Sequence, residues 1–370
     1  MSPGCARRWP LRFRALWRED GSLKVPRRRR ILCLCDPTPG CTAAYRLESL
    51  RRLGQEVIVF DLTQYWPRSR LMKSVTNRFP AGPIVYRVNR ALLEEVRRHQ
   101  PDVVWFDKPT LFTGSTIEAI RNTGALTVCY NQDNPFGPRN DGCWYQFKKV
   151  IRLFDLHCLF RQADVVRYTD WGLNFIRLLF SFEPSIHFPS HAGWSDADRT
   201  REVSYIGHPH EERPQFLLAL AEKHGISLSI DGNGWQVIFS EDQYRRYVRH
   251  GHLLGDAYRE QIWRSKINLS FVTRSNEDDI AHKSVEIAAC QGFLLALRTE
   301  GHQAIFEEDR EAVFFSLTEE CADKCRFYLG RPDLREAIAR AGRERAVRSG
   351  YDNDTQLARV LDQLDGGRSD

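Results

Sequence analysis

The sequence has no long apolar run. A membrane-spanning helix needs roughly 18 consecutive apolar residues, whereas stretches such as Val103–Phe106 and Phe293–Leu297 end after a few positions. The ten cysteines form no CxxC pair and have no histidine partners at zinc-finger spacing. These absences exclude an integral membrane protein and a structural zinc domain. We therefore expect a cytoplasmic protein whose cysteines are reduced and mostly buried.

Two phosphate-binding fingerprints are also missing. The loop Asp36–Thr42, which follows the first predicted strand, contains neither GxGxxG nor GxxxxGK[ST]. A dinucleotide fingerprint and a Walker loop are therefore excluded there. The loop is either an ordinary strand-to-helix turn or a place where backbone amides at a helix start hold a sugar or a phosphate.

Positive charge is concentrated at one end of the chain. The formal net charge is +6, but residues 1–30 contain ten Lys or Arg and two Asp or Glu, so the rest of the chain is slightly acidic. This distribution argues against a nucleic-acid-binding face, which needs basic side chains on the folded surface. Arg12, Arg14 and Arg18 interrupt the only apolar stretch that could serve as a secretory signal. Residues 1–30 are then a disordered extension, an over-extended translation start or a weak anchor to anionic surfaces.

Length and composition predict two domains. The chain has 370 residues, of which 42% are hydrophobic, enough for two cores at about 100–200 residues per domain. Strand and helix signals alternate in two series, which predicts an α/β fold of two tandem Rossmann-like, doubly wound domains with C-terminal helices. The expected divisions are a basic extension at 1–30, an N-terminal domain at 31–190, a linker at 191–202, a C-terminal domain at 203–350, and a C-terminal helix and tail at 351–370.

The first series opens with a βαβ unit. A strand at Ile31–Cys35 precedes a helix at Thr42–Leu53 and a second strand at Val57–Phe60. The second series starts with a strand at Val203–Ile206 and includes a helix at Lys283–Cys290. Ligands of open parallel sheets bind outside the carboxyl ends of the strands. The loops that follow strands are therefore where we expect the functional residues.

Charged and amide side chains follow two predicted strands of the first series. Asp107 and Lys108 come directly after one buried strand, and Asn131–Pro135 comes directly after the next. Asp107 and Lys108 form either a local surface pair or part of a site. A charge at a buried strand end needs a ligand, a partner or water. Asp133 is therefore our candidate for acceptor contact or general-base catalysis.

The loop after the first strand of the second series carries candidate donor-binding residues. Gly207 allows a phosphate to approach the backbone, and Arg213 offers a planar fork of donors for phosphate oxygens. We assign His208 in the same loop to donor binding. His208 and His210 form an i, i+2 pair, but no third ligand stands at a supporting spacing. No metal site is therefore expected.

The most informative pattern lies at 278–295. Glu286 stands early on a short predicted helix of small and apolar residues, which Gly292 and a buried strand follow. A carboxylate fixed there can accept hydrogen bonds from both hydroxyls of a ribose, while Lys283 and the helix N-terminus face a diphosphate. The alternative is that Glu286 is an ordinary first-turn residue favoured by the helix dipole.

This pattern resembles the carboxyl-terminal domain of the CgeB-like, spore-maturation-type glycosyltransferases, relatives of the retaining group 1 glycosyltransferases. Five segments of the second half carry the resemblance: Gly207–Arg213, Asp231–Trp235, Ser265–Ser270, Glu286–Leu295 and Phe306–Phe314. The first half matches more loosely, through its first βαβ unit and the strand ends Asp107-Lys108 and Asn131–Asp133. The resemblance covers about residues 31–361 and is strongest over 203–315.

The resemblance implies a GT-B architecture, in which the second domain binds a nucleotide-sugar and the first binds an acceptor. Group 1 enzymes carry two acids separated by seven residues, and the matching positions are Asp278 and Glu286. Glu286 matches the acid that contacts the donor ribose, whereas Asp278 stands where the family has Glu. Arg213 and Lys283 are then assigned to the phosphates and Gly207 to close approach. No metal or cofactor is implied, because basic side chains and helix dipoles neutralise the leaving diphosphate.

The sequence thus predicts a glycosyltransferase of the hexosyltransferase type. It moves a sugar from a nucleotide-diphosphate-sugar to an unidentified glycan, lipid, protein or small-molecule acceptor, and the resemblance implies retention of configuration. Asp133 and Asp278 are the candidate catalytic residues, and Trp235 either stacks on the base or belongs to the core. One alternative is a catalytically inactive nucleotide-sugar-binding protein of the same fold, and another is a sugar-nucleotide epimerase or hydrolase.

Overall fold

The computed structural model describes residues 26–137 and 142–366. These residues form two compact units, each with its own parallel sheet. Of the described residues, the N-terminal unit contains those up to Leu179, Ser275–Glu277 and those from Asn353 onward, and the C-terminal unit contains Phe180–Arg274 and Asp278–Asp352.

The N-terminal unit is built on a six-stranded sheet. Its strands are β1 (Arg30–Cys35), β2 (Glu56–Asp61), β3 (Val103–Asp107), β4 (Leu126–Tyr130), β5 (Leu156–Leu159) and β6 (Phe175–Arg177), in the order β2-β1-β3-β4-β5-β6. Its first six helices are α1 (Thr42–Arg52), α2 (Arg70–Arg78), α3 (Pro83–His99), α4 (Gly114–Arg121), α5 (Tyr145–Val150) and α6 (Gln162–Asp170). Every β1 residue after Arg30 is buried, as expected for an interior strand of a parallel sheet covered on both faces.

The C-terminal unit is built on a second six-stranded parallel sheet. Its strands are β7 (Arg201–Ile206), β8 (Leu228–Asp231), β9 (Val248–His250), β10 (Ser265–Ser270), β11 (Leu294–Leu297) and β12 (Val313–Phe315), in the order β12-β11-β10-β7-β8-β9. Its helices are α7 (Arg213–Leu218), α8 (Glu241–Tyr247), α9 (Gly255–Trp263), α10 (His282–Ala289), α11 (Glu300–Ile305), α12 (Thr318–Leu329) and α13 (Pro332–Arg348). A π-helical turn at Ala219–Lys223 extends α7.

The last helix, α14 (Asn353–Gly366), belongs to the N-terminal unit. Asp354 in its first turn accepts hydrogen bonds from Ser49 and from Arg52 on α1, both at 2.6 Å. The apolar face of α14 is buried, Leu357 and Leu361 included. Helix α14 therefore contributes buried apolar residues to the N-terminal unit.

Each sheet has one point where the strand order reverses. In the N-terminal unit the reversal lies between β1 and β3, and in the C-terminal unit it lies between β7 and β10. The loops that leave two neighbouring strands at such a point run to opposite faces of the sheet and open a crevice for ligands. We therefore expect ligand-binding residues in the loops after β1 and β3 and in those after β7 and β10.

The predicted fold class is confirmed, because both units are doubly wound parallel α/β structures. The unit boundary at Leu179 differs from the expected division at 190, and α14 returns to the first unit. Most of the basic extension at 1–30 lies outside the described residues. No helix among the described residues combines the length and the apolar character needed to cross a bilayer. Eight of the nine described cysteines are buried, and all nine are free thiols, as expected.

Candidate functional site

The loop after β7 is fixed by contacts with the loop after β8. The Gly207 carbonyl accepts a hydrogen bond from Trp235 Nε1 at 2.8 Å. Gly232 has a φ of +138°, and a Cβ there would lie 2.2 Å from the Gly207 oxygen, so a side chain at this position would separate the loops. A Cβ at Gly207 would lie 2.6 Å from Tyr205 Oη and 2.9 Å from Lys283 Nζ, so a side chain there would displace these two groups.

Arg213, at the start of α7, is buried at the crevice between β7 and β10, with 6% of its surface exposed. It donates hydrogen bonds to Tyr205 Oη at 3.2 Å, to Val272 O at 3.1 Å and to Thr273 Oγ1 at 2.8 Å. Its Nε has no hydrogen-bond partner among the described residues. The guanidinium therefore joins the two strand ends at the place where the topology predicts a ligand.

Lys283 lies in the first turn of α10, next to Gly207. Its Nζ is 5.1 Å from the centre of the Tyr205 ring. Burial lowers the pKa of Lys283 to about 8, and the nearby charge of Arg213 contributes to this decrease, whereas Glu286 opposes it. An ammonium in this position gains from an anion placed beside it.

Arg213 and Lys283 form no ion pair with a carboxylate of the described residues. All five other buried arginines of the described residues have such a partner: Arg29 with Asp365, Arg46 with Asp107, Arg161 with Asp164, Arg259 with Asp256, and Arg335 with Asp196. A buried charge without a counter-charge is destabilising. Two adjacent cations of this kind are therefore suited to bind an anionic ligand.

Glu286 stands three residues after Lys283 on α10, so the two side chains lie on one face of the helix. Glu286 Oε2 accepts a hydrogen bond from the Tyr258 hydroxyl at 2.7 Å. Its Oε1 lies 3.6 Å from His282 Nε2 and 3.8 Å from His187 Nε2. Burial alone would raise the pKa of Glu286, but His282, His187 and Tyr258 lower it below its ordinary value. The carboxylate is therefore held ionised, with 14% of the side chain exposed.

Trp235 lies in the core of the C-terminal unit. It is fully buried, and its ring packs against Tyr205 and Phe239. Because no face of the ring is open, the expectation that Trp235 stacks on a base does not fit, and the core alternative does. Its indole N–H positions the Gly207 carbonyl instead.

His208 follows Gly207 but has an exposed ring. Its Nδ1 lies 3.0 Å from Asn233 O, and its ring centre lies 5.7 Å from that of His210 and 6.1 Å from that of His252. In the part of the chain that the structure describes, no group of three or more His, Cys, Asp or Glu side chains is arranged to hold a metal ion.

Asp278 lies in the segment between β10 and α10 and is partly buried. Its backbone N–H donates a hydrogen bond to Thr273 O at 3.1 Å. Arg213 donates a hydrogen bond to the hydroxyl of the same threonine. Thr273 therefore contacts both the backbone of Asp278 and the guanidinium of Arg213. Asp278 precedes α10, and Lys283 and Glu286 both lie on that helix.

Asp133, the candidate base, belongs to the N-terminal unit. Its Oδ2 lies 2.5 Å from Lys108 Nζ, and both side chains are about half exposed, at 45% and 53%. Asp107, the neighbour of Lys108 in the sequence, pairs with Arg46 on α1. Burial raises the pKa of Asp107, and Arg46 opposes this increase. A cluster of alternating charges therefore lies at the carboxyl ends of β3 and β4.

Several residues around the donor-binding candidates were not predicted. Tyr205 and Thr273 contact Arg213, and Tyr258 and His187 surround Glu286. The sequence could have indicated Tyr205, because it stands on β7 two residues before Gly207. The other three are distant in sequence from the groups they contact, and no local pattern marks them.

Comparison with known proteins supports the predicted fold and a glycosyltransferase-like segment. Residues 211–362 match a family model described as glycosyl transferase-like. The sequence has no match among curated proteins. Sucrose-phosphate synthase from Thermosynechococcus elongatus is structurally similar, with a TM-score of 0.64 at 12% identity over 92% of this chain and 100% of that chain.

Two further solved structures are similar. HepE from Anabaena, in complex with UDP-glucose, has a TM-score of 0.61 at 12% identity over 91% of this chain and 100% of its own. A glycosyltransferase from Rickettsia africae has a TM-score of 0.61 at 12% identity over 91% and 97% of the two chains. The GT-B fold is therefore confirmed, and residues 211–362 form a glycosyltransferase-like segment.

Proposed function

We propose that this protein is a metal-independent, retaining glycosyltransferase of the CgeB-like group, which transfers a hexose from a nucleotide-diphosphate-sugar to an acceptor. The glycosyltransferase-like segment and the GT-B fold support this reaction class. The observation that carries the proposal is the pair formed by Arg213 and Lys283, two adjacent cations that have no carboxylate partner among the described residues. They lie at the strand ends where a doubly wound sheet binds its ligand.

The anion that fits this pair is a diphosphate. Lys283 and the N-terminus of α10 supply positive charge, and Arg213 supplies a free Nε–H. Charge grows on the diphosphate as the sugar leaves it, so cations fixed beside it stabilise the transition state. These groups replace the metal that other transferases use for the same purpose. HepE is solved with UDP and with UDP-glucose, and we propose a UDP-sugar as the donor here.

Glu286 is assigned to the ribose of the donor. An ionised carboxylate has about four acceptor positions, of which the Tyr258 hydroxyl occupies one. The remaining positions suffice for both ribose hydroxyls. Its place one helical turn after Lys283 keeps the proposed ribose and diphosphate contacts on one face of α10.

Two acids are assigned to the transfer itself. Asp278 corresponds to the first acid of the group 1 pair, and we place it near the donor sugar. Asp133 is assigned to the acceptor, where a carboxylate beside Lys108 is suited to accept a proton from an acceptor hydroxyl. His208, which is exposed beside Gly207, remains a candidate for the edge of the donor site.

A titration of UDP and UDP-glucose tests the donor site. Lys283→Ala should weaken UDP binding by about tenfold to a hundredfold, because a charge-assisted hydrogen bond is worth about 1.5–3 kcal/mol. Glu286→Ala should weaken it by about tenfold for the same reason. Lys223→Ala is the matched control, since Lys223 lies in the same unit and pairs with Glu319 on the surface. Unchanged UDP affinity in Lys283→Ala would contradict the assignment.

Turnover separates the proposed transferase from its alternatives. Release of UDP from UDP-glucose in the presence of candidate acceptors, with a glycosylated product, supports transfer. Binding without UDP release over long incubation supports an inactive nucleotide-sugar-binding protein, which the replacement of Glu by Asp at position 278 would explain. Conversion to another sugar nucleotide, or hydrolysis without acceptor, supports the epimerase or hydrolase alternative.

A further inference from the structure

Helix α2 exposes an apolar stripe. Leu71, Met72, Val75 and Phe79 are 75%, 61%, 53% and 66% exposed. At 100° per residue, Leu71, Met72 and Val75 fall within an arc of about 100° on the helix surface, and Phe79 directly follows the last helical residue, Arg78. Single exposed apolar residues are ordinary on a protein surface, but a contiguous group of this kind marks a contact surface.

The sequence on both sides of the stripe is basic. From residue 62 to residue 93 the sequence contains no Asp or Glu, and it contains six basic residues: Arg68, Arg70, Lys73, Arg78, Arg87 and Arg90. Lys73 and Arg78 lie on α2 and form no ion pair with any residue that the structure describes. The helix therefore combines an apolar stripe with uncompensated positive charge.

These properties fit an anionic lipid surface better than other partners. An amphipathic helix with Lys or Arg around an apolar face lies in the membrane interface, and anionic headgroups attract its charges. A second copy of this chain would bring the same positive charge to the contact. Residues 1–25 are also net positive and would be repelled. Nucleic acid would use the charges but not the aliphatic side chains.

We propose that α2 binds reversibly to anionic membranes, with its apolar stripe inserted among the headgroups, Arg78 beside the stripe on lipid phosphates, and Lys73 on the polar face, where the negative surface potential attracts it. The helix has nine residues, so it lies on the surface and does not span the bilayer. It leaves the sheet after the carboxyl end of β2, the edge at which Lys108 and Asp133 also lie. Lipid binding is independent of the proposed transfer reaction and holds whether or not that reaction is correct.

Co-sedimentation of the full chain with vesicles tests the proposal. Vesicles of phosphatidylcholine with phosphatidylglycerol should bind the protein more tightly than phosphatidylcholine alone, and added salt should weaken binding. Val75→Asp should lower the partition coefficient about tenfold or more, because it places a charge in the inserted stripe. Lys73→Glu should lower it at least about fivefold, since each basic residue near an anionic surface contributes about that factor.

Two matched controls keep the test specific. Val166 on α6 has the same 53% exposure as Val75, and Arg340 on α13 is an exposed arginine. Val166→Asp and Arg340→Glu should change the partition coefficient less than twofold. Hydrogen exchange of the wild-type protein gives a readout that does not depend on a variant's folding, because amides of residues 70–79 should become protected when anionic vesicles are added.

Three results would overturn the proposal. Equal binding of wild type, Val75→Asp and Lys73→Glu would assign any lipid affinity to another part of the chain. Equal binding to neutral and anionic vesicles would remove the charge argument. Binding to a single-stranded oligonucleotide that Lys73→Glu weakens and Val75→Asp does not, without vesicle binding, would identify a nucleic-acid site instead.

Discussion

Raising the pH should weaken UDP binding, because Lys283 loses its proton. Burial lowers the pKa of Lys283 from 10.5 to about 8 in the ligand-free protein. Below this pH the ammonium is charged and available to the diphosphate, and above it the neutral amine is not. A bound diphosphate stabilises the charged form, so binding itself raises the pKa of Lys283.

The size of the effect follows from the pKa. With a pKa of about 8, roughly nine tenths of the side chains are protonated at about pH 7 and roughly one tenth at about pH 9. The apparent Kd for UDP should therefore rise about tenfold between these two pH values. Near the upper end of the range, binding should also take up close to one proton.

Calorimetric titration in buffers of different ionisation enthalpy measures both quantities. Working above about pH 7 keeps the phosphates of UDP largely ionised, since their second pKa is about 6. The uracil ring titrates in every sample, so the informative quantity is the difference between wild type and Lys283→Ala. In the variant the additional weakening and the proton uptake should both be absent.

The reasoning fails if wild type and Lys283→Ala show the same pH dependence. A constant Kd from about pH 7 to about pH 9 would mean that the ammonium does not face the ligand. An equal loss of UDP affinity with rising pH in both proteins would assign the titration to another group, such as the ligand itself.

Three further outcomes are expected. Lys283→Met should raise the free energy of unfolding of the ligand-free protein by up to about 3 kcal/mol below about pH 8, because a charged lysine with a lowered pKa is destabilising there. This gain in stability should vanish above about pH 10.5, where the lysine is neutral in both the folded and the unfolded protein. Chemical denaturation at both pH values measures the difference. Trp235→Phe should lower stability by about 1–3 kcal/mol and weaken UDP binding, since it removes the hydrogen bond to Gly207; a variant with wild-type UDP affinity would refute the positioning role. Asp133→Asn should leave UDP affinity unchanged and slow UDP release from UDP-glucose by about 10²-fold or more; an equal rate, measured beside Lys108→Ala, would exclude Asp133 as the base.

The fold was predictable because its signals are local. Fully buried parallel strands are continuous apolar runs, and Ile31–Cys35 and Phe293–Leu297 are such runs. Strands of three residues, such as β6 and β9, carry too little pattern to be recognised. The order of strands and helices predicts a parallel sheet, whose ligands bind at the loops that follow the carboxyl ends of the strands.

The candidate site was predictable only in part. Lys283 and Glu286 stand one helical turn apart, so their shared face follows from helix geometry. The neighbours that set their pKa values come from other elements. Tyr258 on α9 and His187 reach Glu286, and no spacing in the sequence relates these residues.

Tertiary structure alone decided which charges are neutralised. From the sequence, Lys108 had Asp107 as its nearest carboxylate, yet Lys108 pairs with Asp133 and Asp107 pairs with Arg46. The order of strands determines these partners, because it brings together loops that are far apart along the chain. The sequence by itself therefore determined which elements form and where a ligand can enter each sheet. The packing of those elements decided that Trp235 is a core residue and that Arg213 and Lys283 are left without a carboxylate partner among the described residues.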